Sequence, residues 1–472
     1  MKRYFLLFAT ALSLGVLSSC SDDKDNNVTP PPTSGDDVVV LKGDISANQT
    51  LTADKKYLLD GFVYVKSGVT LTIQPGTVIM GDKADKGTLV VTRGGKIMAE
   101  GTAEKPIIFT SSQAVNARSQ GDWGGVIILG KGKVNAAGGE AKIEGGLVPT
   151  AGGNDKDYIY YGGTDDADNS GVLKYVRIEF AGIAYSPDNE INGLTMGGVG
   201  SGTKISYVQV YRSGDDAFEW FGGSVNCDHL VATYTWDDDF DTDNGFSGKI
   251  QFGLAHRYKA IADVSGSNGF ESDNDANGSV NTPQTKAYFS NMTIVGPIVA
   301  GNSTSGINAN FQHGAQIRRN SSMSLINSVI VGFPIGVYID DSKVASHKTS
   351  QNASEGSLVF KNNIIAGAVT VSKSEWSALD AAAWTTWWTA TNTTVVTKAE
   401  DILLDNPNLF SAGVGASAGT PSFLLKATSP AVNGGVIPEG LGFTNVTYRG
   451  AFDATTDWTK GWTNWSAEST KY

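Results

Sequence analysis

Carboxylates gather in one stretch of this chain. Gly214-Asp215-Asp216-Ala217-Phe218-Glu219 opens it, and Asp237-Asp238-Asp239-Phe240-Asp241-Thr242-Asp243-Asn244-Gly245 follows. Glu271-Ser272-Asp273-Asn274-Asp275-Ala276-Asn277-Gly278 closes it. Oxygen donors at alternate positions suit calcium, which takes about six to eight of them. Asp239, Asp241 and Asp243, with Asp273, Asp275 and Asn277, are therefore candidate calcium ligands. Paired carboxylates can instead divide acid and base work, one protonating a leaving oxygen while another activates water. Asp215, Asp216, Asp237 and Asp238 are the candidates for that work. A third reading has no chemistry: Asp and Asn simply serve solvated turns. Crowded carboxylates repel one another, so cations, arginines or raised pKa values must relieve them. Arg212, His256-Arg257 and Arg318-Arg319 are the basic candidates. His229, His256, His313 and His347 lack zinc spacing. Gly198-Val199-Gly200-Ser201-Gly202 lacks a dinucleotide fingerprint.

The elements that must position these groups are short strands. Gly61-Phe62-Val63-Tyr64-Val65, Val69-Thr70-Leu71-Thr72-Ile73 and Pro75-Gly76-Thr77-Val78-Ile79-Met80 succeed one another with brief turns and few hairpin signals. Phe289-Ser290-Asn291-Met292-Thr293-Ile294-Val295-Gly296 is matched by Leu325-Ile326-Asn327-Ser328-Val329-Ile330-Val331-Gly332, and again by Phe360-Lys361-Asn362-Asn363-Ile364-Ile365-Ala366-Gly367. Such repeats indicate a solenoid in which matching residues stack about 4.8 Å apart. Asn291, Asn327 and Asn362 then form one file, free to hydrogen-bond along it, and Ile294, Ile330 and Ile365 another. One coil of about 22 residues puts Asp215-Asp216 beneath Asp237-Asp238. Residues 372–392 break the pattern: Ser372-Lys373-Ser374-Glu375 reads as a capping box, and Trp376, Leu379, Ala383, Trp384, Trp387 and Trp388 keep a helical period. This helix is expected on the solenoid flank, with sugar stacking as its alternative role. Residues 401–472 are expected to add the last rungs, with Trp458, Trp462 and Trp465 closing the open end.

Taken together, the asparagine file and rung spacing resemble the right-handed parallel β-helix proteins, the architecture of pectate lyases and polygalacturonases. The resemblance covers roughly residues 45–450 and implies an all-β, single-stranded solenoid, so a single β-helix domain is expected over residues 38–472. Ser213-Gly214-Asp215-Asp216 resembles the paired-aspartate turn of polygalacturonases, which implies acid or base roles for Asp215 or Asp216. The Gly-His-Gly and Arg-Ile-Lys motifs of those enzymes are missing. A lyase mechanism would need calcium and a basic residue, with Arg212 nearest. Asp273-x-Asp275-x-Asn277-Gly278 resembles half of an EF-hand loop, with Gln284 where the closing Glu belongs. Gly121-Asp122-Trp123-Gly124-Gly125, Phe221-Gly222-Gly223, Ser267-Asn268-Gly269-Phe270-Glu271 and Tyr448-Arg449-Gly450-Ala451-Phe452 resemble a family of Bacteroidetes β-helix lipoproteins.

The amino terminus adds an address. Lys2 and Arg3 precede a short apolar run that ends in Leu17-Ser18-Ser19-Cys20. This resembles a lipoprotein leader (residues 1–19), implying lipid on Cys20. The acidic residues after Cys20 resemble the signal for the outer face of the outer membrane, and residues 20–37 read as a flexible tether. A net charge of −12 disfavours nucleic acid as a partner. Cys227 has no partner for a disulfide if Cys20 is lipidated, and reads as a small buried apolar residue. The leading expectation is a surface binding or adhesion module for extracellular glycans with a calcium-binding stripe. The alternatives are a polysaccharide lyase or glycoside hydrolase, and an accessory subunit of an outer-membrane transporter.

Overall fold

The computed structural model describes residues 38–186, 189–407, 420–437 and 439–472, so the expected leader and tether lie outside the described residues. From Val38 the chain coils into a parallel β-helix whose rungs each contribute to three sheets. One sheet runs through Gln49–Leu51, Thr70–Ile73 and Lys96–Glu100 to Ser324–Ile326. The second includes Thr293–Val295, Val329–Val331 and Ile364–Ala366, paired in register. The third carries Leu194–Val199, Phe218–Gly223, Phe240–Asp243 and Phe270–Ser272. Ile294, Ile330 and Ile365 stack as the repeats require.

The corner between the first two sheets explains the asparagine file. Asn291, Asn327, Asn362 and Asn392 all have left-handed backbone, with φ of 51–55°. Asn tolerates that region better than most side chains. Among the described residues, only Asn392 and Asn362 bond directly along the file, at 2.8 Å. The Asn291 amide instead donates to the Tyr448 carbonyl, and Asn327 Oδ1 accepts from the Val436 N–H. In earlier rungs the same corner holds Tyr175, Tyr207, His229 and Phe252, also at positive φ. Their rings stack instead: Tyr207 lies on His229 with centroids 4.2 Å apart.

Inward residues fill a continuous apolar core that includes Phe218, Phe240, Phe270 and Phe289. Phe218 stacks on Phe240 at 5.7 Å, and Phe240 on Phe270 at 5.4 Å. Cys227 belongs to this core, and burial pushes its thiol pKa up.

The tryptophan helix and the carboxyl-terminal segment exchange their expected places. Residues Thr370–Ser374 still pair as a strand with Ile335–Ile339, so the helix starts at Glu375, with Ser374 rather than Ser372 capping it. Asp380 caps the helix that follows, Ala381–Ala390. Trp376, Trp384, Trp387 and Trp388 pack against the interior core, and Trp388 stacks on Phe360, a residue of the last rungs. This helical pair therefore covers the end of the solenoid. The described residues of 420–472 form no further rungs; they run back along an outer face. Trp462 packs edge-on against Tyr175 and Tyr207, and Trp458 against His229. Phe423, Phe452 and Trp465 bury against outward residues such as Val231, Leu254 and Val331.

Candidate metal-binding cleft

The third sheet builds an acidic cleft. One outward column of that sheet reads Val90, Ile127, Thr195, Glu219, Asp241, Glu271 in register. Its first members lie beneath an apolar layer formed by Ile143, Leu147, Tyr158 and Tyr161 from the 130–162 insertion. Where that layer ends, the column turns acidic. The insertion brings Glu144 to the cleft, and Glu190 comes from the short strand Asn189–Glu190. Sequence reasoning missed both, since neither belongs to a repeat. The cleft has a volume of about 260 Å³ and is lined by nine carboxylates: Glu144, Glu190, Asp215, Asp216, Glu219, Asp237, Asp238, Asp241 and Glu271.

The turn entering this sheet positions the aspartates. Asp216 Oδ1 accepts the Asp238 N–H at 2.7 Å, Asp238 Oδ1 accepts the Asn268 N–H at 2.5 Å, and Asn268 Oδ1 accepts the His313 N–H at 3.1 Å. Each side chain thus satisfies the backbone of the rung above. Beneath them, the Arg257 guanidinium bonds the carbonyls of Thr235, Asp237 and Asn268 and lies 2.9 Å from Asp239. Asn192 donates to Glu144 at 2.9 Å and also to Glu219.

The structure brings Asp215, Asp216, Asp237 and Asp238 into one cleft, as the coil length requires. The six candidate calcium ligands do not converge. Asp241 faces the cleft. Asp239 is committed to Arg257. Asp243 accepts from the Asn244 N–H at 2.6 Å. Asp273 is held by Arg318 at 2.9 Å and Arg319 at 2.6 Å. Asp275 accepts the Asn277 and Ser279 N–H groups, closing a local turn. An EF-hand loop curls its alternate donors around one point, whereas here the arginines and the turn take them. Three other sets have carboxylate oxygens within 4.8 Å of one another: Asp215, Asp216 and Asp237; Asp216, Glu219 and Asp241; Asp238, Asp241 and Glu271.

The basic candidates also divide. Arg212 pairs with Glu468 at 2.7 Å and bonds Gln120, so it does not serve the cleft. His256 packs against Phe423 and Trp465 in the carboxyl-terminal segment, where burial pushes its pKa down to about 3. Arg318 is the one basic side chain lining the cleft among the described residues, and Glu271 and Asp273 both hold it. Burial raises the cleft carboxyls. Asp237 is pushed up to about 6, and Glu271 to about 8 despite Arg318. Asp215, Asp216, Glu219, Asp238 and Asp241 are raised well above the usual range, by burial first and neighbouring carboxylates second. An all-oxygen set of this kind fits a hard divalent cation such as calcium, magnesium or manganese.

The chain belongs to a family of pectate-lyase-like domains: residues 43–407 match the family described as "Pectate-lyase like beta helix domain". Among solved structures it is similar to a crystal structure of pectate lyase Pel9A, at 13% identity and a TM-score of 0.36, over 82% of this chain and 88% of that one. No curated protein matches it in sequence.

Proposed function

We propose that this protein is a calcium-dependent binding module for extracellular glycans, held on the outer face of the outer membrane by lipid on Cys20. The observation that carries the reading is the imbalance of the cleft: nine carboxylates face one guanidinium that is already shared by Glu271 and Asp273. Bound calcium relieves that repulsion and leaves coordination positions for ligand oxygens. Asp215, Asp216, Glu219, Asp237, Asp238, Asp241 and Glu271 would hold it. A calcium-assisted lyase also needs a base that can lose its proton, and Arg318 is held charged by its two carboxylate partners. The leader and the phrases that resemble Bacteroidetes surface lipoproteins support the address.

Three measurements test the reading. Calcium should raise the melting midpoint and chelator lower it, by linkage; identical midpoints would remove calcium from the proposal. An acidic-glycan panel should then retard the protein in a gel only when calcium is present. Labelled palmitate should enter the wild-type chain in cells and not Cys20→Ala. A hydrolase is the second reading, favoured by Asp237 near 6 and Glu271 near 8, which could exchange protons near neutral pH. Release of reducing sugar or unsaturated uronate from any panel member would favour catalysis over binding alone.

A further inference from the structure

We infer that the cleft holds more than one divalent cation, with Asp216 and Asp241 shared between neighbouring ions. The inference rests on the calcium reading above and concerns how many ions that site takes. Each of the three carboxylate sets is compact enough for one cation, with its oxygens within 4.8 Å of one another. The sets overlap in an ordered way. Asp216 belongs to the first and second, Asp241 to the second and third, and the first and third have no residue in common. This is the pattern of a row of ions with bridging carboxylates, since each carboxylate has two oxygens and about four lone-pair directions to share.

The state of those oxygens points the same way. Asp216 is only 7% exposed, and its Oδ1 is used by the Asp238 N–H, which leaves Oδ2 for a cation. Asp241 Oδ1 and Asp237 Oδ1 are wholly out of solvent and lack a donor among the described residues. In a protein interior such oxygens are normally satisfied. Donors are present close by, but Asn192, Asn268 and Arg318 are spent on Glu144, Glu219, Asp238, Glu271 and Asp273. A single cation can be held by only one of these sets or by two that overlap. It would leave one of the outer sets crowded and unneutralised.

Equilibrium dialysis of the purified protein against labelled calcium should give more than one ion per chain. Asp215 serves only the first set and Asp238 only the third. Asp215→Asn and Asp238→Asn should therefore each lose part of the bound calcium and keep the rest. Asp216→Asn should lose the ions of the first and second sets and keep that of the third, a larger loss than either single-set variant shows. Circular dichroism checks that each variant is folded. Terbium and neodymium bound together in the wild type provide a measurement independent of the variants: neodymium should quench the terbium emission by transfer between adjacent sites. One calcium per chain, or unquenched terbium, overturns the shared-ligand row while leaving calcium binding intact. No bound calcium overturns both.

Discussion

Burial acts in opposite senses on the carboxyl and imidazole groups of this protein. It raises Asp237 to about 6 from an ordinary 3.8, and Glu271 to about 8 from 4.5; Asp243, beside Asp273, also rises to about 8. Folded, calcium-free protein therefore keeps protons that the unfolded chain has released. Stability falls with pH wherever the folded state binds more protons. These groups lose stability from above their unfolded pKa values until pH passes their folded ones. His256 and His313, pushed down from 6.5 to about 3 and about 4 by burial, act the other way below pH 6.5. The melting midpoint in chelator should thus drop most clearly between about pH 6.5 and 8. Glu271→Gln should make that drop shallower, and calcium should abolish most of it. A thermal melting series across that window checks all three, and a midpoint that climbs with pH in chelator contradicts the assigned burial.

At the scale of elements, the strands hold because large side chains stack across rungs. Phe240 lies between Phe218 and Phe270 and is fully buried. Truncation to Ala should remove about 3–5 kcal/mol, against about 0.5–1.5 kcal/mol for Ile330→Val in the same core. Denaturant unfolding of the two variants measures the contrast. The rungs themselves were legible in Asn291, Asn327 and Asn362 because a left-handed corner selects Asn repeatedly. Tyr175, Tyr207 and His229 were legible as earlier rungs from their coil spacing, but no residue type announced the same left-handed corner there, where ring stacking accompanies backbone that bulky residues seldom adopt. Asp215 and Asp237 could be stacked from coil length alone. Glu144 and Glu190 could not, because insertions outside the repeat carry them over the sheet. The tryptophan period in 376–388 revealed that a helical face packs against apolar residues. Periodicity does not say which, so its place over the solenoid end stayed invisible.

For the whole molecule, the carboxyl-terminal segment ties distant rungs together. Gln209 exchanges two hydrogen bonds with the backbone of Asn464, and Gln251 does the same with Thr444. These amides treat the returning chain as an added strand, although Thr444 and Asn464 lie outside any regular strand. The run ends at Tyr472, whose hydroxyl donates to Glu179 at 2.6 Å. Glu179 is fully buried and also accepts from Thr110 at 2.9 Å. Tyr472→Phe keeps the ring and removes the donor, leaving a buried carboxylate under-bonded, so it should destabilise by about 1–3 kcal/mol. Glu179 does not line the acidic cleft, and calcium affinity should be unchanged in the same variant. Paired unfolding and calcium titrations separate the two effects. A loss of calcium affinity equal to the loss of stability would mean that the returning segment and the cleft form one cooperative unit, rather than a strap and a site on different faces of the coil.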